Sequence, residues 1–224
     1  MNIFKAIINS LFPLRCVLCG NLAKKDDYKC NKCTIPNKPL IRNLTVKPGV
    51  RGKKPHNLTV FSPTYYVGFY RKSLHLFKFK KKTIFAESYA KLILDMNLVD
   101  KTADFITFVP MTKRQIRERG YNQAEVLARK ISKLSNIPIK ELLIKTVETE
   151  AQHTLKYSER KKNLRGIYSV TEDVKDLNII IVDDIITTGS TLCECAATLY
   201  RKGAKNVTGL CAADTQSKLI DDII

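Results

Sequence analysis

The chain has 224 residues, of which 44% are hydrophobic and 27% charged, with a formal net charge of +18. That apolar content suits one folded domain with a small appendage and excludes a disordered chain. Residues 1–100 carry 19 Lys/Arg against 5 Asp/Glu and residues 101–224 carry 20 against 16, an N-terminal excess that points to a polyanion, nucleic acid first and an anionic membrane second, with a lysine-rich composition as the plain alternative.

Residues 1–14 place Ile3, Phe4, Ile7, Ile8 and Leu11 at helical spacing, which predicts a short amphipathic helix. Lys5, Asn9 and Ser10 interrupt the apolar run and no small-residue cleavage site follows, against both a signal peptide and a spanning helix. Packing on the rest of the chain is the default, and weak contact with an inner-membrane surface is the alternative. Next come Cys16-Val-Leu-Cys19 and Cys30-Asn-Lys-Cys33. Two such knuckles place four thiolates around one Zn²⁺, and with every ligand a Cys the metal is structural, no coordination position being left open. Two disulfides or redox-active pairs compete with this, but nothing points to export, and a cytoplasmic protein is expected.

Residues 36–63 hold Pro36, Pro39, Pro48, Gly49, Gly52, Pro55 and Pro63 among scattered cations, a basic connector with short strands predicted at 40–46 and 58–61. Tyr65, Tyr66, Phe69, Tyr70, Phe77 and Phe79 then alternate with Arg71, Lys72, Lys78, Lys80, Lys81 and Lys82. Rings that stack bases beside cations that track phosphates make a platform for single-stranded nucleic acid. A strand and helix that bury the rings and expose the cations explain the same pattern.

Phe105-Ile-Thr-Phe-Val-Pro110 predicts a core strand, followed by Lys113, Arg114, Arg117 and Arg119 and then a helix from about residue 123 to residue 134. Cations at a strand's C-terminal end suit an anionic ligand, since open α/β sheets bind there; solvated helix-start charges are the plainer reading. Further strands are predicted at 142–145, 167–170 and 207–213. Between the first two lies a polar, basic stretch with His153, Arg160, Lys161 and Arg165, where His153 reads as a polar loop residue before a base. Cys193, Cys195 and Cys211 read as buried structural thiols.

The densest motif is Asn178-Ile-Ile-Ile-Val-Asp-Asp-Ile-Ile-Thr-Thr-Gly-Ser-Thr191. Ile179 to Val182 form an apolar β-branched run suited to a strand covered on both faces. Thr187, Thr188, Gly189, Ser190 and Thr191 make a hydroxyl-rich loop into a helix, where N–H groups, hydroxyls and the helix dipole converge on a phosphate. Asp183 and Asp184 would repel that phosphate, but they suit vicinal ribose hydroxyls or a hydrated Mg²⁺. A buried strand with an Asp-capped turn is the bland alternative. No Walker Gly-Lys-Ser/Thr occurs there.

This motif resembles the phosphoribosyl pyrophosphate (PRPP) motif of type I phosphoribosyltransferases. With the Cys knuckles, Tyr70 to Lys80, Val109-Pro110, Arg119-Gly-Tyr-Asn-Gln123, Gln152, Leu155, Arg160 and Asn163, the chain is similar to the ComF family of competence proteins. The resemblance implies an α/β fold: a phosphoribosyltransferase-like parallel sheet with helices on both faces, at residues 61–224, behind a zinc-knuckle module and connector at 1–60. It implies that Asp183 and Asp184 bind the ribose hydroxyls, Thr187 to Thr191 the 5-phosphate, and Lys113 and Arg114 the pyrophosphate, with Mg²⁺ accompanying PRPP and the stretch after residue 149 as a lid. It further implies a role in natural transformation, with single-stranded DNA and DNA-processing proteins as partners. It names no acceptor base and leaves turnover open.

Overall fold

The computed structural model describes residues 15–23, 27–49, 54–79, 84–146 and 166–215, with the backbone alone at 78, 79 and 84. The first fourteen residues, Lys80, Lys81, Lys82, and His153, Arg160, Lys161 and Arg165 of the expected lid lie outside the described residues.

In chain order the elements are β1 (Leu40–Val46), β2 (His56–Ser62), α1 (Gly68–Phe79), α2 (Ile84–Asp95), β3 (Phe105–Phe108), α3 (Lys113–Arg119), α4 (Gln123–Ser135), β4 (Leu143–Lys145), β5 (Tyr168–Val170), β6 (Asn178–Ile186), α5 (Ser190–Arg201) and β7 (Asn206–Asp214). The main sheet has the order β1-β2-β7-β6-β3. Its four strands from β2 to β3 run parallel, and β1 joins the edge antiparallel to β2. The protein is therefore an α/β fold on a mixed, mostly parallel sheet. β4 and β5 form a separate antiparallel pair.

The sequence dictates this layout directly. Ile179 to Val182 are all buried, as a central strand covered on both faces requires. Helix α4 packs on β3 and β6 and against α2, while α5 lies along β1, β6 and β7. Leu127, Ala128 and Ile131 supply the buried stripe of α4 at helical spacing. The Asn122 side chain caps it by accepting from the Ala124 and Glu125 N–H groups.

The connector is built into the sheet. β2 spans the 60/61 boundary expected from the sequence and pairs with β7 through Thr59, Val60 and Phe61. His56 stacks on Tyr200 of α5 at 3.9 Å between ring centroids. The Cys-bearing segment before it docks on the same core. Val17 and Tyr28 share the buried cluster with Leu92 and Ile93 of α2, and Phe69 lies so close to Gly20 that a Cβ there would sit 2.4 Å from its ring.

Candidate active site and metal centre

A cleft of about 200 Å³ opens at the C-terminal ends of β3 and β6, where open α/β sheets place ligands. β6 runs on through Ile186, so Asp183 and Asp184 are its own residues and not loop residues after it. Both carboxylates line the cleft. The Asp184 N–H donates to Asp183 Oδ1 and the Ile185 N–H to Asp184 Oδ1, each at 2.8 Å, which orients the two side chains locally.

The loop after β6 is tight. Gly189 is the N-cap of α5 at φ +77°, a left-handed conformation that costs a side-chain-bearing residue roughly 1–2 kcal/mol. The Thr188 and Ser190 hydroxyls lie 2.8 Å apart, and the Ser190 N–H donates to Thr188 Oγ1 at 3.2 Å. Thr187 and Thr188 are exposed, Ser190 and Thr191 are partly so, and Thr191 reaches the cleft wall. Helix α5 begins here, so its first-turn N–H groups and positive dipole end face outward at the loop.

Cations reach the cleft from two elements. The stretch after β3 is a short helix, α3. Thr112 and Gln115 close its capping box, Gly120 ends it at φ +88°, and it buries none of its residues. Helical spacing then sorts the cations. Gln115 and Arg119, four apart on one face, line the cleft, whereas Lys113 and Arg114 are exposed and do not line it. Lys145 of β4 and Tyr168 of β5, paired across that ladder, form another wall. Burial, and then the Arg119 charge, lower the Lys145 pKa. Neither Lys145 nor Tyr168 stood out in the sequence, because nothing local marks a three-residue strand as a cleft wall. Buried Gln123 and Asn122 complete it from the start of α4. Burial first, and then the Asp183 carboxylate, push both Cys195 and Cys211 thiols up, so both stay protonated, as buried structural thiols should.

The candidate metal centre is a second, separate site. The Sγ atoms of Cys16, Cys19, Cys30 and Cys33 all lie within 4.8 Å of one another. Cys19 and Cys30 stand 3.7 Å apart; two thiolates about 2.3 Å from one tetrahedral ion lie about 3.8 Å apart. The four thiols surround one point, so the set can hold a metal ion, and all four are free rather than paired as disulfides. The turn that presents the first knuckle is fixed by the Gly20 N–H donating to the Cys16 carbonyl at 2.8 Å, with Gly20 at φ +84°.

On α1 the structure buries rings and exposes cations. Phe77 is fully buried, Phe69 and Tyr70 pack partly against the core, and Arg71 and Lys72 are exposed. Lys78 lies on the last turn of the same helix. Among the described residues no helix is long and apolar enough to cross a membrane.

A model of the phosphoribosyl transferase domain matches residues 116–223, from within α3 past the end of β7. Over that stretch the chain is similar to phosphoribosyl transferase domains. It is also homologous to DNA-utilization and competence proteins along most of its length. It is 28% identical over 207 residues to DNA utilization protein YhgH of Escherichia coli K12, covering 89% of this chain and 84% of that protein. It is 26% identical to competence protein ComFC of Bacillus subtilis 168, covering 84% and 72%. Competence protein F of Haemophilus influenzae matches at 32% over 111 residues, 48% of each chain. The resemblance to the ComF family read from the sequence is thus matched by these proteins. Among solved structures, the purine phosphoribosyltransferase of Pyrococcus horikoshii Ot3 aligns at 21% identity and a TM-score of 0.38, over 58% of this chain and 74% of that one.

Proposed function

We propose that this phosphoribosyl transferase domain binds PRPP, and that the protein handles single-stranded DNA during transformation in the cytoplasm. The observation that carries the first part is the pair Asp183 and Asp184 on the cleft wall, next to a hydroxyl-rich loop that opens α5. In this reading the two carboxylates take the ribose 2- and 3-hydroxyls as hydrogen-bond acceptors. Thr187, Thr188, Gly189, Ser190 and Thr191 hold the 5-phosphate. The cleft carboxylates fit a hydrated Mg²⁺, which would neutralise the pyrophosphate. Arg119 and Lys145 line the cleft and are better placed for that pyrophosphate than Lys113 and Arg114, which do not line it. The four thiolates take Zn²⁺ as a structural ion. Calorimetry with PRPP and Mg²⁺ tests the site: wild-type protein binds, and the Asp183→Asn/Asp184→Asn double variant does not. Retained affinity in that variant refutes the assignment.

The DNA part rests on the exposed Arg71 and Lys72 of α1, with Lys78, Lys80, Lys81 and Lys82 continuing the run. Because Phe77 is buried, contact would be made by cations on phosphates more than by stacked rings. Oligonucleotide affinity should fall with salt, and Arg71→Glu/Lys72→Glu should weaken it on all sequences alike. An affinity indifferent to salt sinks this part. DNA-processing proteins and a weak association with the inner membrane are further partners consistent with that role.

A working transferase is the second reading, favoured by two cations and two carboxylates around one cleft. There Arg119 and Lys145 would stabilise the leaving pyrophosphate as the ribose centre meets an acceptor. Release of pyrophosphate above the level of the double Asn variant, across a panel of bases and oligonucleotides, is its test.

A further inference from the structure

Strand β1 lies outside the matched domain, yet it reaches the phosphate loop twice. Arg42 and Leu44, two apart, share one face of β1. Arg42 Nε donates to Asp214 Oδ2 at 2.6 Å and Nη2 donates to Asp214 Oδ1. The remaining Nη1 donates to the Thr187 carbonyl. The pair is sequestered, with side chains 10% and 5% exposed. Asp214 is itself fixed at the end of β7, its N–H donating to the Thr64 carbonyl at 2.9 Å and its carbonyl accepting from the Tyr66 N–H at 2.7 Å. Leu44 sits under Gly189, where a Cβ would meet Leu44 Cδ1 at 2.5 Å.

We propose that Arg42, held by Asp214, is a positioning residue for the phosphate loop, with Leu44 as the floor under Gly189. The inference rests on reading that loop as the 5-phosphate site. In a planar trans peptide the carbonyl of one residue and the N–H of the next point in opposite directions. Holding the Thr187 carbonyl on Arg42 therefore turns the Thr188 N–H to the other side, so a donor and not an acceptor is offered to the phosphate. An unheld peptide could flip and present its carbonyl to an anion. Arg42 is not the phosphate ligand in this scheme, because its charge is already taken up by Asp214.

The experiment uses the full chain and two readouts: calorimetry with PRPP and Mg²⁺, and ligand-free amide hydrogen exchange at residues 187–190. Arg42→Met should lower affinity by on the order of tenfold, a change of about 1.4 kcal/mol, and should speed exchange in the loop. Arg42→Lys, which keeps a donor, should recover part of both. Asp214→Asn separates positioning from direct ligation. Releasing Arg42 weakens binding if it positions the loop and tightens binding if it contacts phosphate. Because Arg42→Met removes a cation from a buried carboxylate, the Arg42→Met/Asp214→Asn double variant serves as the neutral pair should the single variant fail to fold. Unchanged affinity and exchange in Arg42→Met or in the neutral double variant, or tighter binding in Asp214→Asn, overturns the proposal. If wild-type protein binds no PRPP while Arg42→Met still loosens the loop, the phosphate-site reading falls and the loop anchor stands as structure alone.

Discussion

Tyr28 donates a hydrogen bond of 2.6 Å from its phenol to Asp95 Oδ2, joining the Cys-bearing segment to the end of α2 across 67 residues of sequence. Tyr28 is 3% exposed while Asp95 is exposed, so the bond is shielded on one side and open to water on the other. Tyr28→Phe should cost about 1–2 kcal/mol, the usual loss for a buried hydrogen bond to a charged group that is partly solvated. Burial, and then Asp95, push the Tyr28 pKa upward. The folded state thus keeps the phenol proton to higher pH than the unfolded chain, so this contribution is complete below about pH 10 and fades above it. Stabilities of wild type and Tyr28→Phe from denaturant titrations at neutral and alkaline pH should converge as pH rises; equal stabilities at neutral pH would show that the bond contributes nothing, and a gap that stays constant with pH would show that the phenol proton is not linked to it.

Protein purified without added metal should carry about one Zn²⁺ per chain, and Cys19→Ser or Cys30→Ser should fall well below that. Inductively coupled plasma mass spectrometry reads the stoichiometry. Full metal content in either variant would mean that the ion sits elsewhere. Chelation should also lower the melting temperature, because Val17 and Tyr28 are part of the main core.

Gly189→Ala should reduce PRPP affinity by about tenfold or more while leaving the circular dichroism spectrum unchanged. Two costs coincide at this position: the left-handed backbone at φ +77° and the 2.5 Å approach of Leu44 Cδ1 to a new Cβ. Leu44→Ala in the same chain should restore part of the affinity, because it removes the second cost and not the first. Full affinity in the single variant would show that the loop tolerates a shift.

Lys145 should give PRPP binding a pH signature. Burial, and then Arg119, lower its pKa from the ordinary 10.5. The folded protein therefore sheds this proton at lower pH than the unfolded chain does. A charged Lys145 is a burden on stability that lifts as pH rises through the folded value. A bound polyanion works the other way, favouring the charged form. Affinity should decline on the alkaline side earlier than an ordinary lysine would dictate, and Lys145→Gln should bind more weakly at neutral pH and lose that limb. Calorimetry from about pH 7 to pH 10 checks it, and an identical pH profile in the variant would remove Lys145 from the site.

Much of this architecture is legible in the chain. The apolar run Ile179–Val182 identifies the central strand, and β1 spans the residues expected of it. Four cysteines at short spacing foretell a cluster that the fold then gathers around one point. What escapes the sequence depends on partners far away. Arg42 reads as one more connector cation until β1 lies beside the Thr187 carbonyl, 145 residues on. Lys113 and Arg114 look as apt as Arg119, and only the helical phase of α3 sorts them, because a seven-residue helix without a buried stripe leaves no periodic signal. The ring-and-cation pattern of α1 serves two explanations equally, and burial of Phe77 shows what the ring does.

The pairing of Lys145 with Tyr168 places both ends of a long stretch of chain at one spot, closed by the Thr146 N–H donating to the Ile167 carbonyl at 2.8 Å. The two cleft residues are thus held by the ladder itself and not by the sequence that joins its ends. Each doubling of a flexible connection costs only about 0.6 kcal/mol in closure entropy. The stretch could therefore be exchanged as a single cassette while the cleft residues on the ladder are inherited intact.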